Sequence, residues 1–181
     1  MKKYIKLPTN YRVEKLVYNQ VAKTLCVQVG LTFSKLYTSR IYSRHIREEQ
    51  YHEIEYPFKS NYSYVSLITS IKSSKIYFNV WEHIKRDETT VAANWVELVS
   101  FDLITKKSEK ILDVNSFIFK NNEKRIWIHD LFGLTSDENG IFCCVVFEYH
   151  MENRGYIDYY LCQLTIKNQK IKKLALLKDI F

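Results

Sequence analysis

Apolar and β-branched residues in this chain fall in short runs, not at helical spacing. Residues 24–29 (Thr-Leu-Cys-Val-Gln-Val), 75–81 (Lys-Ile-Tyr-Phe-Asn-Val-Trp), 95–101 (Trp-Val-Glu-Leu-Val-Ser-Phe), 141–149 and 157–164 are all of strand length. Several are apolar at odd and even positions alike, which suits strands buried on both faces. Long windows with apolar residues at i, i+3, i+4 and i+7 are scarce. The best helical stretch is 39–50, where Ile41, Tyr42 and Ile46 make a thin stripe among Arg40, Arg44, Arg47, Glu48 and Glu49, and a short helix is expected there.

Turn chemistry separates the runs. Asp137-Glu138-Asn139-Gly140 precedes Ile141, and Asn-Gly supplies the positive φ of tight hairpins. Lys72-Ser73-Ser74-Lys75 stands in the same place before Ile76, while 104–108 and 166–170 each join two strand candidates. The segments 86–90 and 153–155 read as longer hairpin loops. The chain is an antiparallel meander.

The meander repeats. Residues 101–106 (Phe-Asp-Leu-Ile-Thr-Lys) align with 162–167 (Cys-Gln-Leu-Thr-Ile-Lys) at an offset of 61, and 76–80 align with 141–145 at an offset of 65. The difference between the offsets falls in the loop after the second strand, where insertions are tolerated. A fainter copy precedes them, with strands at 16–18, 24–29, 35–42 and 52–56 and a turn at 19–23. The units are therefore 11–57, 62–115 and 126–181, in a single domain spanning 1–181.

Each unit, with four antiparallel strands and a third strand running through Phe101-Asp102-Leu103 into a Thr-Lys turn, resembles the blade of a β-propeller. The expected fold is all-β: three four-stranded antiparallel units arranged like part of a propeller. Another antiparallel meander, a barrel or a sandwich stays open as the alternative. Propellers close with roughly four to eight blades, so the resemblance implies a ring completed from elsewhere. Uncovered sheet faces are costly, and a homodimer making a six-bladed ring is the favoured consequence.

Composition narrows the function. The chain has 181 residues, 46% hydrophobic and 26% charged, with 14 Tyr, 10 Phe, 4 Gly and 2 Pro, which excludes disordered, collagen-like and disulfide-scaffold classes. Met1-Lys2-Lys3-Tyr4-Ile5-Lys6-Leu7-Pro8 has no apolar run behind its basic residues, so no secretory signal is read. The most apolar stretch, 141–147, is too short to span a bilayer. The expectation is a cytoplasmic protein with no membrane contact. Cys26, Cys143, Cys144 and Cys162 form no C-x-x-C pair and read as small buried hydrophobes. The net charge of +7 permits attraction to nucleic acid. Lys106, Lys107, Lys110, Lys167, Lys170, Lys172, Lys173 and Lys178 lie on outer turns and fourth strands, where lysine also blocks edge-to-edge pairing.

Candidate chemistry is sparse. Glu82 and His83, and Glu148 and His150, sit near the ends of corresponding strands, so a rim site for acid–base work could draw on them. His129-Asp130 is a neighbouring pair with no nucleophile elbow to serve. His45 and His52 flank a mixed-charge segment that needs no chemistry. Tyr37, Tyr42, Tyr51, Tyr56, Tyr62 and Tyr64 cluster around Pro57, as stacking platforms or as packing. No cofactor and no metal site is expected. The leading reading is a non-catalytic protein-interaction or scaffold module that binds another protein or its own copy. Two alternatives remain: nucleic-acid binding through the basic, Tyr-rich surface, and an enzyme using the rim residues.

Overall fold

The protein is described by a computed structural model over residues 11–31, 39–54, 62–85, 91–116, 123–151 and 154–177. The first sheet comprises β1 (Tyr11–Asn19), β2 (Thr24–Leu31), β3 (Ser39–His45) and β4 (His52–Glu53). The second comprises β5 (Tyr62–Thr69), β6 (Lys75–Lys85), β7 (Val91–Asp102) and β8 (Ser108–Asp113). The third comprises β9 (Glu123–Leu134), β10 (Gly140–Met151), β11 (Arg154–Thr165) and β12 (Lys170–Leu176). Within each sheet spatial order follows chain order, and every pairing is antiparallel. The three sheets are separate and do not close into a barrel. The fold is all-β, as expected, and the only helical segment among the described residues is a 3-10 turn at Val114–Ser116.

The helix expected over 39–50 is replaced by a strand. Ser39–His45 pairs with β2 from Gly30↔Ser39 to Thr24↔His45, and only the residues after it turn. Ser39, Ile41 and Ser43 are buried while Arg40, Tyr42 and Arg44 are partly exposed, a period of two that the arginines disguise in sequence. Those arginines lie over rings, Arg40 at 5.4 Å from the Tyr64 centroid and Arg44 at 5.0 Å from that of Tyr51. Tyr37, Tyr56, Pro57, Lys178 and the loop 86–90 lie outside the described residues.

Two cores sandwich the second sheet. Cys26 and Ile41 of the first sheet pack with Leu67, Ile76, Phe78, Val80 and Val99 of the second. On its other side Tyr77, Trp95, Leu98 and Leu112 pack with Ile128, Leu131, Ile141, Cys143 and Val145 of the third. Strand β6 shows why: Ile76, Phe78 and Val80 face one core and Tyr77 faces the other, so 75–81 is apolar throughout.

The hairpins between first and second strands are capped alike. Asn19 Oδ1 accepts from Ala22 N at 2.7 Å, Ser70 Oγ from Ser73 N at 2.7 Å, and Thr135 Oγ1 from Gly140 N at 3.0 Å. These turns also tie the sheets together. Buried Asn19 Nδ2 donates to Ser73 O at 2.9 Å and Ser70 O at 3.2 Å. From the third sheet, Glu138 accepts from Ser70 Oγ at 2.5 Å and Ile71 N at 2.7 Å. Polar side chains thus fix the middle turn from both sides.

Candidate cleft where the first strands meet

The first strands β1, β5 and β9 are the inner edges of their sheets, and each carries an irregularity. Glu14 is an extra residue in β1, inserted where the register shifts between Val13↔Val29 and Lys15↔Gln28. Ser66 and Leu67 together oppose Phe78, between Val65↔Asn79 and Ile68↔Tyr77. His129 is extra between Val145↔Ile128 and Cys144↔Asp130. A β-bulge bends its strand and re-aims side chains. Here the bulged Glu14, Ser66 and His129 all line one cleft of about 460 Å³, a volume suited to a small molecule. Ser66 has a positive φ of 62°, a conformation that costs a side-chain-bearing residue on the order of 1 kcal/mol.

The cleft floor is polar and internally bonded. Ser63 Oγ and His83 Nε2 are 2.8 Å apart, and Ser39 N donates to the same oxygen at 3.2 Å. Gln28 Nε2 donates to Glu14 Oε2 at 2.8 Å while its Oε1 accepts from Leu67 N at 3.3 Å. Burial lowers the His83 pKa, and the Arg40 charge lowers it further, so the imidazole is neutral at pH 7. The Glu14 carboxylate lies against Gly30, and a Cβ there would push the carboxylate aside. Arg12 Nε approaches the same carboxylate at 3.6 Å. Lys15, Trp81 and Asp130 complete the rim, and Asp130 Oδ1 accepts from Leu131 N at 2.8 Å.

Of the sequence-derived candidates, His83 lies in this cleft. Glu82 and Glu148 are not among the described residues that line it, and the His150 side chain lies outside the described residues. Strand alternation puts Glu82 and His83 on opposite faces of β6. His129 and Asp130, met as a neighbouring pair, both reach the cleft because the bulge lets adjacent residues share it. Glu14 and Ser66 were missed, since no hydrophobic pattern marks a bulge, and Ser63, paired regularly with Trp81, belongs to no motif. Among the described residues no group of three or more His, Cys, Asp or Glu is placed to hold a metal ion.

An aromatic groove of about 430 Å³ adjoins the cleft, sharing Trp81, Ala93 and His129 with it. Trp95, Trp127 and Tyr159 line it too, so all three tryptophans of the chain meet there. The four cysteines are buried and free. Cys143 faces the second sheet and Cys144 the opposite side; burial pushes the Cys26 and Cys162 thiols up to about 12 and that of Cys144 to about 11.

Comparison with known proteins matched no family model and no curated protein. The class is set by the architecture alone: an all-β protein of three consecutive four-stranded antiparallel meander sheets. No helix among the described residues is long and apolar enough to cross a membrane.

Proposed function

We propose that this protein is a non-catalytic scaffold that pairs with a second copy of itself, the two chains completing a six-sheet ring like a six-bladed propeller. One observation carries the reading. Leu16, Leu67 and Leu131 each stand three or four residues before the hairpin cap of their sheet, on the face toward the preceding sheet. Leu67 and Leu131 have a preceding sheet and are 0% exposed, whereas Leu16 has none among the described residues and is 56% exposed. Tyr18 and Val13 beside it are 47% and 48% exposed.

At the other end, the face of the third sheet turned away from the core carries Phe142, Leu161 and Tyr159, all half-buried, and exposed Ile157 around buried Cys144 and Val146. Every internal junction joins such a following face to a preceding face. A second copy supplies each end with the face it lacks, and a twofold axis repeats the contact and closes the ring. Nucleic-acid binding has less support: Tyr64 is buried, and Lys173 Nζ sits 3.6 Å from the Phe147 centroid and 4.3 Å from that of Tyr160.

Light scattering on the purified protein is the test. A mass of twice 21.7 kDa that falls to 21.7 kDa in Leu16→Glu and in Leu161→Glu supports the ring. A wild-type monomer at micromolar concentration, or an open series of larger assemblies, overturns it.

A further inference from the structure

The cleft where the first strands meet is too specifically built to be a packing remnant. Three inner strands each insert extra residues, and the side chains so turned, Glu14, Ser66 and His129, line one space. One of them is held in a strained backbone conformation. Strain that persists marks a place where the surrounding structure selects a geometry, and such places cluster at binding sites.

The lining also says what would fit. Bulges interrupt the regular row of N–H and C=O groups on all three inner edges, so an extended peptide could not add as a strand. The occupant is therefore a compact molecule. Among the described residues that line the cleft and its adjoining groove, Glu14 and Asp130 stand against Lys15 and Arg125, with His83 neutral. Balanced charge favours a neutral ligand over a phosphate or an ammonium ion. The groups able to bond are serine hydroxyls, a glutamine amide, imidazoles and carboxylates, most of which accept and donate alike, as hydroxyl groups do. Beside them Trp81 and, across the shared boundary, Trp127 are half-buried and give flat apolar surface, with buried Trp95 beneath. We infer that this cleft binds a neutral carbohydrate, one or two sugar rings, with ring faces against tryptophan and hydroxyls on Glu14, Ser66 and Asp130.

This inference goes beyond self-association: all three inner strands belong to one chain, and only Tyr159 of the adjoining groove also lies on the face assigned to a second copy. The position of the tryptophans makes native fluorescence a direct reporter. The purified full chain is titrated with glucose, galactose, mannose, N-acetylglucosamine and their β-1,4-linked disaccharides, with AMP and choline chloride as an anion and a cation of similar size. A saturable change in tryptophan emission with at least one saccharide is expected, and none with AMP or choline. Asp130→Asn keeps the acceptor for Leu131 N and removes the charge, and weakens that saccharide about tenfold, the loss of one hydrogen bond to a charged group. Its melting temperature serves as the folding control, and Glu14→Gln, scored the same way, stands in should Asp130→Asn fail to fold. Silence across the saccharides, a tighter response to AMP or choline, or a saccharide response unchanged in both variants overturns the inference. Repeating the titration on monomeric Leu16→Glu separates a failed cleft from a failed ring.

Discussion

The second sheet and the two end sheets have the same strand order yet lie in different surroundings. The second sheet is buried on both faces: Ile76, Phe78, Val80, Leu98 and Val99 are all fully buried, shared between two cores. The first and third sheets meet one core each; on their other faces the central-strand residues Val27, Val29, Cys144 and Val146 are buried, while Val13, Leu16, Tyr18 and Ile157 on the neighbouring strands are exposed. Similar sequence patterns thus give different burial according to position in the stack. A repeat supplies both of its faces with apolar residues whether or not the chain provides a neighbour for each.

The largest expected effect tests that difference at matched positions. Leu131→Ala and Leu67→Ala remove fully buried side chains and should each cost about 2–5 kcal/mol in urea unfolding. Leu16→Ala, at the corresponding place in the first sheet, should cost less than about 0.5 kcal/mol in the monomer. A Leu16 cost as large as the other two in a monomer would break the comparison.

The next effect concerns the turns that fix the middle sheet from both sides. Asn19→Ala strands the Ala22 N–H and several carbonyls of the turn in the second sheet, and a loss of about 3 kcal/mol in the same assay is expected. Asn19→Asp keeps the acceptor and loses the donor, so it should fall between wild type and Asn19→Ala.

A smaller effect depends on pH. The folded His83 pKa lies below its unfolded value of roughly 6.5, because burial and then Arg40 disfavour the cation. The unfolded chain therefore binds the proton more readily. The His83 contribution is complete above about 6.5, falls as pH drops through that value toward the lower folded one, and levels off beneath it. Urea midpoints at about pH 7.5 and about pH 5.5 should differ more in wild type than in His83→Gln. This window lies above that of Asp137, held at about 2 by Thr135 and Asn139.

The smallest effect sharpens the cleft against the cores. Ser66→Gly relieves the positive φ while adding backbone freedom to the unfolded chain, so the net change is a gain of at most about 1 kcal/mol. Differential scanning calorimetry reading a clear loss would show that the Ser66 hydroxyl, not its backbone, holds the bulge.

Much of the architecture was legible in the residues. The runs at 75–81 and 141–149 gave doubly buried strands, and the offset between 76–80 and 141–145 matches equivalent second strands. The segment 39–50 misled, because Arg40 and Arg44 stand where exposed strand residues alternate, yet their spacing also suits one face of a helix. The cleft was only half visible. His83 and the His129-Asp130 pair drew notice as titratable groups, whereas Glu14 and Ser66 are ordinary residues that become notable through a register shift between strands.

By itself, then, the sequence determined what is periodic and local: strand positions, hairpin turns, the repeat of a four-stranded unit, and cysteines suited to burial. The tertiary structure decided what depends on distant partners. It set which repeat is covered on both faces, because Leu16, Leu67 and Leu131 differ in neighbours and not in kind. It set the common cleft as well, because a bulge arises from two strands failing to match residue for residue, a relation between segments that neither one contains.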